Sequence, residues 1–323
     1  RQMCIRDRGE FEPIVVPKHQ SRGLSIERLV ISLYAKGMSV ADIESEMQEI
    51  YGINLSTSAI SIITNKVSQA ATEWQNRPLD SLYMIVWMDG IVFKVRENGK
   101  VINKTVYLCV GLNKEGLKEV LGMWIGKNES AAFWMGVLTD LKARGVEDIL
   151  ITVTDNLNGF TETIKSVFPA STTQICVVHQ IRNSCRYVVW KEKKEFTADL
   201  KNIYNAPTKE AAEMELDNFE QKWGAKYPYA IRSWRNNWEE LTVFFDFPVE
   251  IRKIIYTTNL IENLNGKIRK YTKNKLSFPN DDALKKSVYL AINEIEKKWY
   301  QPIWNWALIF NQFITIFENR IQV

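Results

Sequence analysis

Two apolar runs rich in β-branched residues constrain the fold of this 323-residue chain more than any other feature. Residues 84–88 read Met-Ile-Val-Trp-Met, and residues 149–154 read Ile-Leu-Ile-Thr-Val-Thr, with no charge in either. Uninterrupted runs of this kind predict strands buried on both faces of a sheet. An aspartate follows each run, Asp89 after the first and Asp155 after the second. Residues at the ends of such strands project into the crevice where ligands bind.

The surrounding pattern predicts an α/β fold with a mixed sheet flanked by helices. Asn98-Gly99 indicates a tight hairpin between two of the strands. Amphipathic helices are predicted between the later strands, at residues 129–144 and 160–168. Together these elements give the order βββαβαβ, antiparallel strands first and βα units after. The first strand is predicted in two runs, residues 82–88 and 91–95, on either side of Asp89-Gly90; the other four are residues 104–110, 119–125, 148–154 and 173–178.

Three short helical patterns precede the sheet. Ser39 with Asp42 resembles a capping box at the start of the second, and Ser56 is placed to cap the third. Short helices joined by glycine-bearing turns are typical of a helix-turn-helix, although the same packing occurs in modules that never touch DNA. In the helix-turn-helix interpretation the third helix offers four polar residues to a major groove. They are Ser58, Ser61, Asn65 and Lys66.

The composition shifts along the chain divide it into six segments. Beyond His179 the strand signal fades and tryptophan-rich helical patterns dominate until about residue 250, which predicts an all-helical insertion. Residues 73–80 resemble a linker, because apolar periodicity lapses around Pro78. The predicted segments are a disordered or truncated start (1–22), a helix-turn-helix-like segment (23–72), the first part of a catalytic core (81–181), the insertion (182–250), the last part of the core (251–298) and a C-terminal aromatic helix (299–323).

Composition and charge limit the classes of protein to which this chain can belong. The chain is 46% hydrophobic, yet no window approaches the roughly 18 apolar residues of a membrane span. Four unevenly spaced cysteines do not form a disulfide framework, so a reduced, cytoplasmic setting is predicted. The net charge is only +4, but residues 263–280 contain five basic residues and no acid. This stretch predicts contact with a polyanion, or else a solvated helix face, through Lys267, Arg269, Lys270 and Lys273 in particular.

Asp89, Asp155 and a third acid, Glu262, are the candidate catalytic and metal-binding residues. Glu262 opens the basic helix predicted at residues 258–272. A carboxylate triad without a nearby histidine suits Mg²⁺ or Mn²⁺, and two such ions about 3.5–4 Å apart can act on one phosphodiester. Each acid also has an ordinary explanation: a type I′ turn at Asp89-Gly90, a helix cap at Asp155, and a capping box between Asn259 and Glu262.

A second candidate cluster follows the last predicted strand. Cys176, His179 and Cys185 would be candidate zinc ligands, but an evident fourth ligand is missing, so no zinc is expected. His179 is predicted at a strand end beside Arg182 and Asn183. This place favours a role near the site, either in contact with phosphate or in orienting an acid.

With these residues in place, the chain resembles the mutator-type bacterial insertion-sequence transposases, a branch of the DDE superfamily with a ribonuclease-H-like catalytic core. The resemblance is carried by Trp87-Met88-Asp89-Gly90, Thr154-Asp155, Cys176-Val177-Val178-His179, and the segment from Thr257 through Glu262 to Lys270. It implies that Asp89, Asp155 and Glu262 are the three catalytic acids.

The resemblance also implies an activity and its partners. Such an enzyme binds the terminal repeats of its element, cuts DNA with Mg²⁺ and joins the 3′-hydroxyl to target DNA. A homodimer or larger assembly on DNA is expected, in the bacterial cytoplasm at the nucleoid. Two alternatives remain: a catalytically inactive or repurposed DNA-binding protein of the same family, and a structure-specific nuclease of ribonuclease-H-like fold. Metal-dependent cleavage distinguishes a transposase from the DNA-binding protein, which would not cleave. Joining of DNA ends distinguishes a transposase from the nuclease, which would cleave branched DNA without joining.

Overall fold

The structure, a computed structural model, describes residues 21–157, 159–256 and 259–321. Most of the segment predicted as a disordered or truncated start, residues 1–20 of 1–22, lies outside the described residues. The description begins with helix α1 (Ser21–Ala35), followed by α2 (Val40–Glu49) and α3 (Thr57–Gln75). The three predicted N-terminal helices are therefore confirmed.

Local capping explains where two of these helices begin. The Ser39 hydroxyl accepts a hydrogen bond from the Asp42 N–H at 3.1 Å, and the Asp42 carboxylate accepts one from the Ser39 N–H at 3.0 Å. Ser56 caps α3 by accepting a hydrogen bond from the Ala59 N–H at 3.2 Å. Both caps satisfy backbone donors that a helix start leaves unpaired. Helix α3 continues to Gln75, so the predicted linker begins later than residue 73.

A five-stranded mixed sheet forms the centre of the protein. Its strands are β1 (Leu82–Glu97), β2 (Lys100–Leu112), β3 (Lys118–Gly126), β4 (Asp148–Thr154) and β5 (Thr172–Ile175), in the spatial order β3-β2-β1-β4-β5. β1, β2 and β3 pair antiparallel, whereas β4 and β5 run parallel to β1. Helices α4 (Ala131–Ala143) and α5 (Phe160–Val167) connect β3 to β4 and β4 to β5. The predicted mixed sheet and its element order are confirmed.

The predicted hairpin is confirmed, but the predicted break in the first strand is wrong. Asn98 and Gly99 both have positive φ, as a type I′ turn requires. Asp89-Gly90 instead lies within one continuous strand, where Asp89 pairs with Leu108 and Gly90 with Tyr107. A Cβ on Gly90 would lie only 2.7 Å from the Thr105 methyl, so the close approach of β2 explains the glycine. The type I′ explanation of Asp89 is therefore excluded.

All elements described after β5 are helical. The prediction of a strand at 173–178 is wrong at its end, because β5 stops at Ile175 and a helix starts at Val177. The C-terminal helix begins at Trp306 and not at 299. Asn305, just before this start, has a left-handed backbone with φ of 59°, which an α-helix does not accommodate, so the helix cannot begin earlier. The helices are α6 (Val177–Ser184), α7 (Lys193–Tyr204), α8 (Lys209–Trp223), α9 (Pro228–Asn236), α10 (Trp238–Leu241), α11 (Val249–Ile255), α12 (Asn259–Thr272), α13 (Asp281–Glu296) and α14 (Trp306–Ile316).

The two faces of the sheet have different cores. One face packs against α4 and α5 through buried residues that include Trp134 and Phe160. The other face shares a larger core with the later helices, in which Trp234 is buried. Trp87 connects strand β1 to this core, since its ring N–H donates to the Ile254 carbonyl at 3.3 Å. The tryptophans of the helical region thus serve mainly as core residues, with Trp190 exposed.

The N-terminal helices have their own small core and are anchored on α13. Val30, Ile43 and Ile60 are fully buried in it, together with Leu290 of α13. Ser68 of α3 donates to the carboxylate of Asp282 at 2.9 Å, which adds a polar contact to α13. Among the helices that the structure describes, none combines the length and apolar character needed to cross a bilayer.

Candidate metal site

Strand pairing brings the first two acids together. β1 and β4 pair in parallel, with Trp87 opposite Val153, and continuing this register by two residues sets Asp155 beside Asp89. Asp89 is only 8% exposed. Both of its carboxylate oxygens accept hydrogen bonds, Oδ1 from the Gly90 N–H at 2.7 Å and Oδ2 from Nδ2 of Asn265 at 2.6 Å. The Asp89 carboxylate is therefore fixed in position before any ligand binds.

His179 completes this cluster from the first turn of α6. Its Nδ1 lies 2.6 Å from Oδ1 of Asp155, and single ligand atoms of Asp89, Asp155 and His179 all lie within 4.8 Å of one another. The description of the three acids as a triad without a nearby histidine is therefore wrong, whereas the predicted place of His179 near the site agrees with this contact. β5 lies next to β4 and parallel to it, so the helix that follows β5 begins at the same edge of the sheet.

The third acid, Glu262, reaches the same place from α12. Its Oε1 lies 4.0 Å from Nε2 of His179. Arg182 of α6 binds both carboxylate oxygens of Glu262, with N···O distances of 2.7 Å and 2.9 Å. Asn183 is exposed on the same helix. The structure thus brings Asp89, Asp155 and Glu262 to one edge of the sheet, although they are distant in sequence.

The electrostatics of the cluster show crowded negative charge. Burial and then the charge of Asp155 raise the pKa of Asp89 to about 7. For His179, burial opposes protonation, but contacts with Asp155 and Cys176 outweigh it and raise the His179 pKa to about 11. Carboxylates that raise each other's pKa are favourable in their ionised form only when cations are close.

The residues present fit a divalent cation. Carboxylate oxygens are the ligands that Mg²⁺ and Mn²⁺ prefer, and an imidazole is a ligand type that transition metals accept more readily. Oδ1 of Asn265 is buried and accepts no hydrogen bond from any described residue, which leaves one further oxygen available. Neither Cys176 nor Cys185 belongs to the group of close ligand atoms found among the described residues.

Sequence reasoning missed two residues at this site. Asn265 follows Glu262 by three positions, and this helical spacing was the available signal. Glu129 precedes α4, and its carboxylate accepts a hydrogen bond from the Trp134 ring N–H at 2.9 Å. The Trp134 ring stacks on Phe160 at a centroid distance of 4.6 Å. Burial raises the pKa of Glu129 and the charge of Asp155 adds to this, so Glu129 is a neighbour of the acids, which no sequence pattern predicted.

The basic stretch does not form a single surface. Lys267 and Lys270 line a cavity of about 350 Å³ together with Lys36 and Lys298. Arg269 and Lys273 are exposed elsewhere on α12 and just after it. The stretch therefore presents cations in more than one direction.

Lys275 is a structural residue. Its ammonium group lies 3.9 Å from the ring centroid of Tyr34 and donates to the Ser287 hydroxyl at 3.0 Å. These contacts join the end of the basic stretch to α1 and α13, so Lys275 has little surface to offer a polyanion.

The polar residues predicted on α3 differ in their surroundings. Ser58 is exposed and Ser61 is half-buried. Asn65 accepts a hydrogen bond from the Lys286 ammonium group at 3.2 Å, and Lys66 forms an ion pair with Glu27 at 2.7 Å. Lys66 and Asn65 therefore already have partners within the protein.

Comparisons with known proteins give a consistent result. Residues 4–302 match the family described as "Transposase, Mutator family". The chain is 43% identical over 317 residues to a probable transposase for insertion sequence element ISRM3-like from Sinorhizobium fredii, covering 98% of this chain and 79% of the relative. The transposase for insertion sequence element ISRM3 from Rhizobium meliloti is equally similar, with the same coverage.

A relative from another bacterial genus supports the same assignment. A probable transposase for an insertion sequence element from Corynebacterium diphtheriae is 40% identical over 295 residues, which cover 91% of this chain and 86% of the relative. The family match over residues 4–302 includes the N-terminal helices, the sheet and α12, which contains Glu262. This chain belongs to the Mutator family of transposases.

Proposed function

We propose that this protein is a DNA transposase that binds the ends of its element and performs metal-dependent strand cleavage and strand transfer at Asp89, Asp155 and Glu262. The observation that carries the proposal is the convergence of these three residues at one edge of the sheet, with His179 between the second and third. The proposal includes a ribonuclease-H-like fold for the catalytic core, which the strand order β3-β2-β1-β4-β5 supports.

The residues of the site have distinct roles in this proposal. Asp89 and Asp155 hold the divalent cations, and Glu262 adds a third carboxylate from α12. Bound Mg²⁺ or Mn²⁺ would supply Lewis-acid stabilisation of the attacking and leaving oxygens of a phosphodiester. His179 orients Asp155 through its 2.6 Å contact, and Arg182 keeps Glu262 turned toward α6. Of the two roles considered for His179, this geometry favours orientation of an acid.

DNA contact in this proposal uses the exposed cations around α12 and the exposed face of α3. Lys267 and Lys270 share their cavity with Lys36, Lys298 and the acid Glu294, and the excess of positive charge is more favourable when a phosphate lies between the lysines. Ser58 and Ser61 are the groove-facing candidates on α3, with Asn65 and Lys66 available if they exchange their partners within the protein. Assembly as a dimer or larger complex on DNA follows from the need to hold two element ends.

Cleavage of a labelled element-end duplex tests the proposal. The wild-type chain should cleave it with Mg²⁺ and lose cleavage when the metal is chelated. Asp155→Asn and Glu262→Gln should each lower cleavage by at least 100-fold, because each removes a metal-binding charge. Asp246→Asn is the matched control, since Asp246 is exposed and lies outside the site.

Each alternative function gives a different result in this assay. A chain that binds the duplex but cleaves nothing at any Mg²⁺ or Mn²⁺ concentration is a DNA-binding protein and not a transposase. Cleavage of branched DNA without joining of the 3′-end to a target identifies a structure-specific nuclease. If Asp155→Asn or Glu262→Gln leaves cleavage intact, the assignment of that residue is wrong.

A further inference from the structure

Asn265 has a buried side-chain amide whose nitrogen donates a hydrogen bond and whose oxygen accepts none from the residues that the structure describes. It lies on α12 one turn after Glu262 and is 9% exposed. Its Nδ2 donates to Oδ2 of Asp89 at 2.6 Å, a short hydrogen bond to a charged acceptor. Its Oδ1 is buried and receives no hydrogen bond from the residues that the structure describes.

Exchanging the positions of Oδ1 and Nδ2 by rotating the Asn265 amide would not give Oδ1 a hydrogen-bond donor. In the ionised form of Asp89, which is the form that binds a cation, rotation by 180° would set Oδ1 against the carboxylate and would remove a donor from it. The carboxylate therefore fixes the orientation of the amide, and Oδ1 stays on the other side. A buried acceptor without a donor is unfavourable, and such a group in a native structure calls for a missing partner.

The position of Asn265 is fixed by the packing of its helix. Ile261, Leu264 and Ile268 are fully buried on the same helix and hold it against the core. The amide is therefore held at a set distance from Asp89 and cannot move away to reach solvent. A rigid, preoriented oxygen beside a carboxylate cluster is suited to a cation or to the water that a cation carries.

We propose that Asn265 is a positioning residue of the divalent-cation site, in which Nδ2 orients the Asp89 carboxylate and Oδ1 contacts the hydrated cation. The inference rests on the proposed function and adds a residue to it. Outer partners of metal-binding carboxylates usually change metal affinity 10- to 100-fold when they are replaced. Asn265 should therefore affect cation binding in the absence of DNA.

Calorimetric titration of the DNA-free chain with Mn²⁺ tests this inference. Asn265→Ala should weaken Mn²⁺ binding about tenfold. Asn263→Ala is the matched control, since Asn263 is an exposed asparagine on the same helix, and its affinity should equal that of the wild type. Asn265→Asp retains an oxygen but turns a donor into a charge beside Asp89. It should lower the melting temperature in chelator and show a larger rise than the wild type when Mn²⁺ is added.

The possible outcomes are distinct. Equal Mn²⁺ affinity in the wild type and Asn265→Ala overturns the role of Asn265 and leaves the three-acid site intact. Absence of Mn²⁺ binding by the wild type removes the proposed metal site, and this inference with it. If Asn265→Ala does not fold, Asn265→Asp decides the question. The inference is contradicted when Mn²⁺ raises the melting temperature of Asn265→Asp no more than it raises that of the wild type.

Discussion

Replacing Asp89 by asparagine should stabilise the metal-free protein. Asp89 is buried and lies beside Asp155, and these two causes raise its pKa from 3.8 to about 7. The folded protein therefore holds the Asp89 proton more tightly than the unfolded chain does. The stabilising contribution of the protonated carboxyl is fully present below about pH 3.8 and is lost as the pH rises through about 7.

The pKa shift sets the size of the effect. Relative to a neutral side chain, Asp89 costs the fold about 4 kcal/mol at pH 8, where it is ionised. The cost is about 2 kcal/mol at pH 5, where the folded protein keeps the proton that the unfolded chain has released. Asp89→Asn removes this cost while keeping an oxygen for the Gly90 N–H. Once residue 89 is an amide, the Asn265 amide can rotate so that its unmatched Oδ1 accepts a hydrogen bond. Little of the gain should therefore be lost to unpaired polar groups.

Urea denaturation in chelator at pH 5 and pH 8 measures the difference. Asp89→Asn should be more stable than the wild type at both pH values, with the larger margin at pH 8. Asp246→Asn, an exposed control, should match the wild type at both. Added Mg²⁺ should raise the stability of the wild type and not that of Asp89→Asn. A margin that stays constant between the two pH values, or a destabilised variant, would refute the electrostatic reasoning.

Three further predictions concern other parts of the molecule. Burial and then Lys286 lower the pKa of Lys275 from 10.5 to about 8. Between these pH values the unfolded chain keeps a proton on Lys275 that the folded protein has lost, so the free energy of unfolding should rise with pH. Lys275→Met should abolish this rise between pH 7.5 and 9.5 in denaturation experiments, and a rise that persists in the variant would contradict the prediction. Gly90→Ala should lower the free energy of unfolding in chemical denaturation by about 1–3 kcal/mol, because the new methyl would clash with Thr105 of β2. An unchanged free energy of unfolding would show that β2 shifts to accommodate the methyl. Replacing both Lys267 and Lys270 by alanine should make the slope of log binding constant against log salt concentration for duplex DNA shallower by about 2. An unchanged slope would show that the DNA does not contact these two lysines.

Patterns within a few residues were read correctly from the sequence. The capping box of Ser39 and Asp42, the Asn98-Gly99 turn and strand β4 are all as predicted, because each depends on neighbours in the chain. The interpretation failed at Asp89-Gly90, where the same two residues are compatible with a turn or with a strand. Pairing with β2 decided between them, and β2 lies outside any local window.

Helix boundaries failed for a related reason. The apolar residues after Gln174 are compatible with a strand as well as a helix, and β5 was predicted to continue through Val178. The chain instead turns into α6 at Val177, which carries His179 into contact with Asp155. The sequence predicted a role near the site for His179 but placed it at a strand end; the contact with Asp155 from a helix is one that no spacing specifies.

The sequence by itself determined the order of strands and helices, the caps at Ser39 and Ser56 and the Asn98-Gly99 turn, and its resemblance to a family singled out the three candidate acids. The tertiary structure alone decided which side chains meet. His179 reaches Asp155, and Asn265 reaches Asp89, because the parallel register and the packing of α12 bring distant residues to one edge of the sheet. Local propensity acts over a few residues, whereas the chemistry of a site depends on distances that only the packed chain sets.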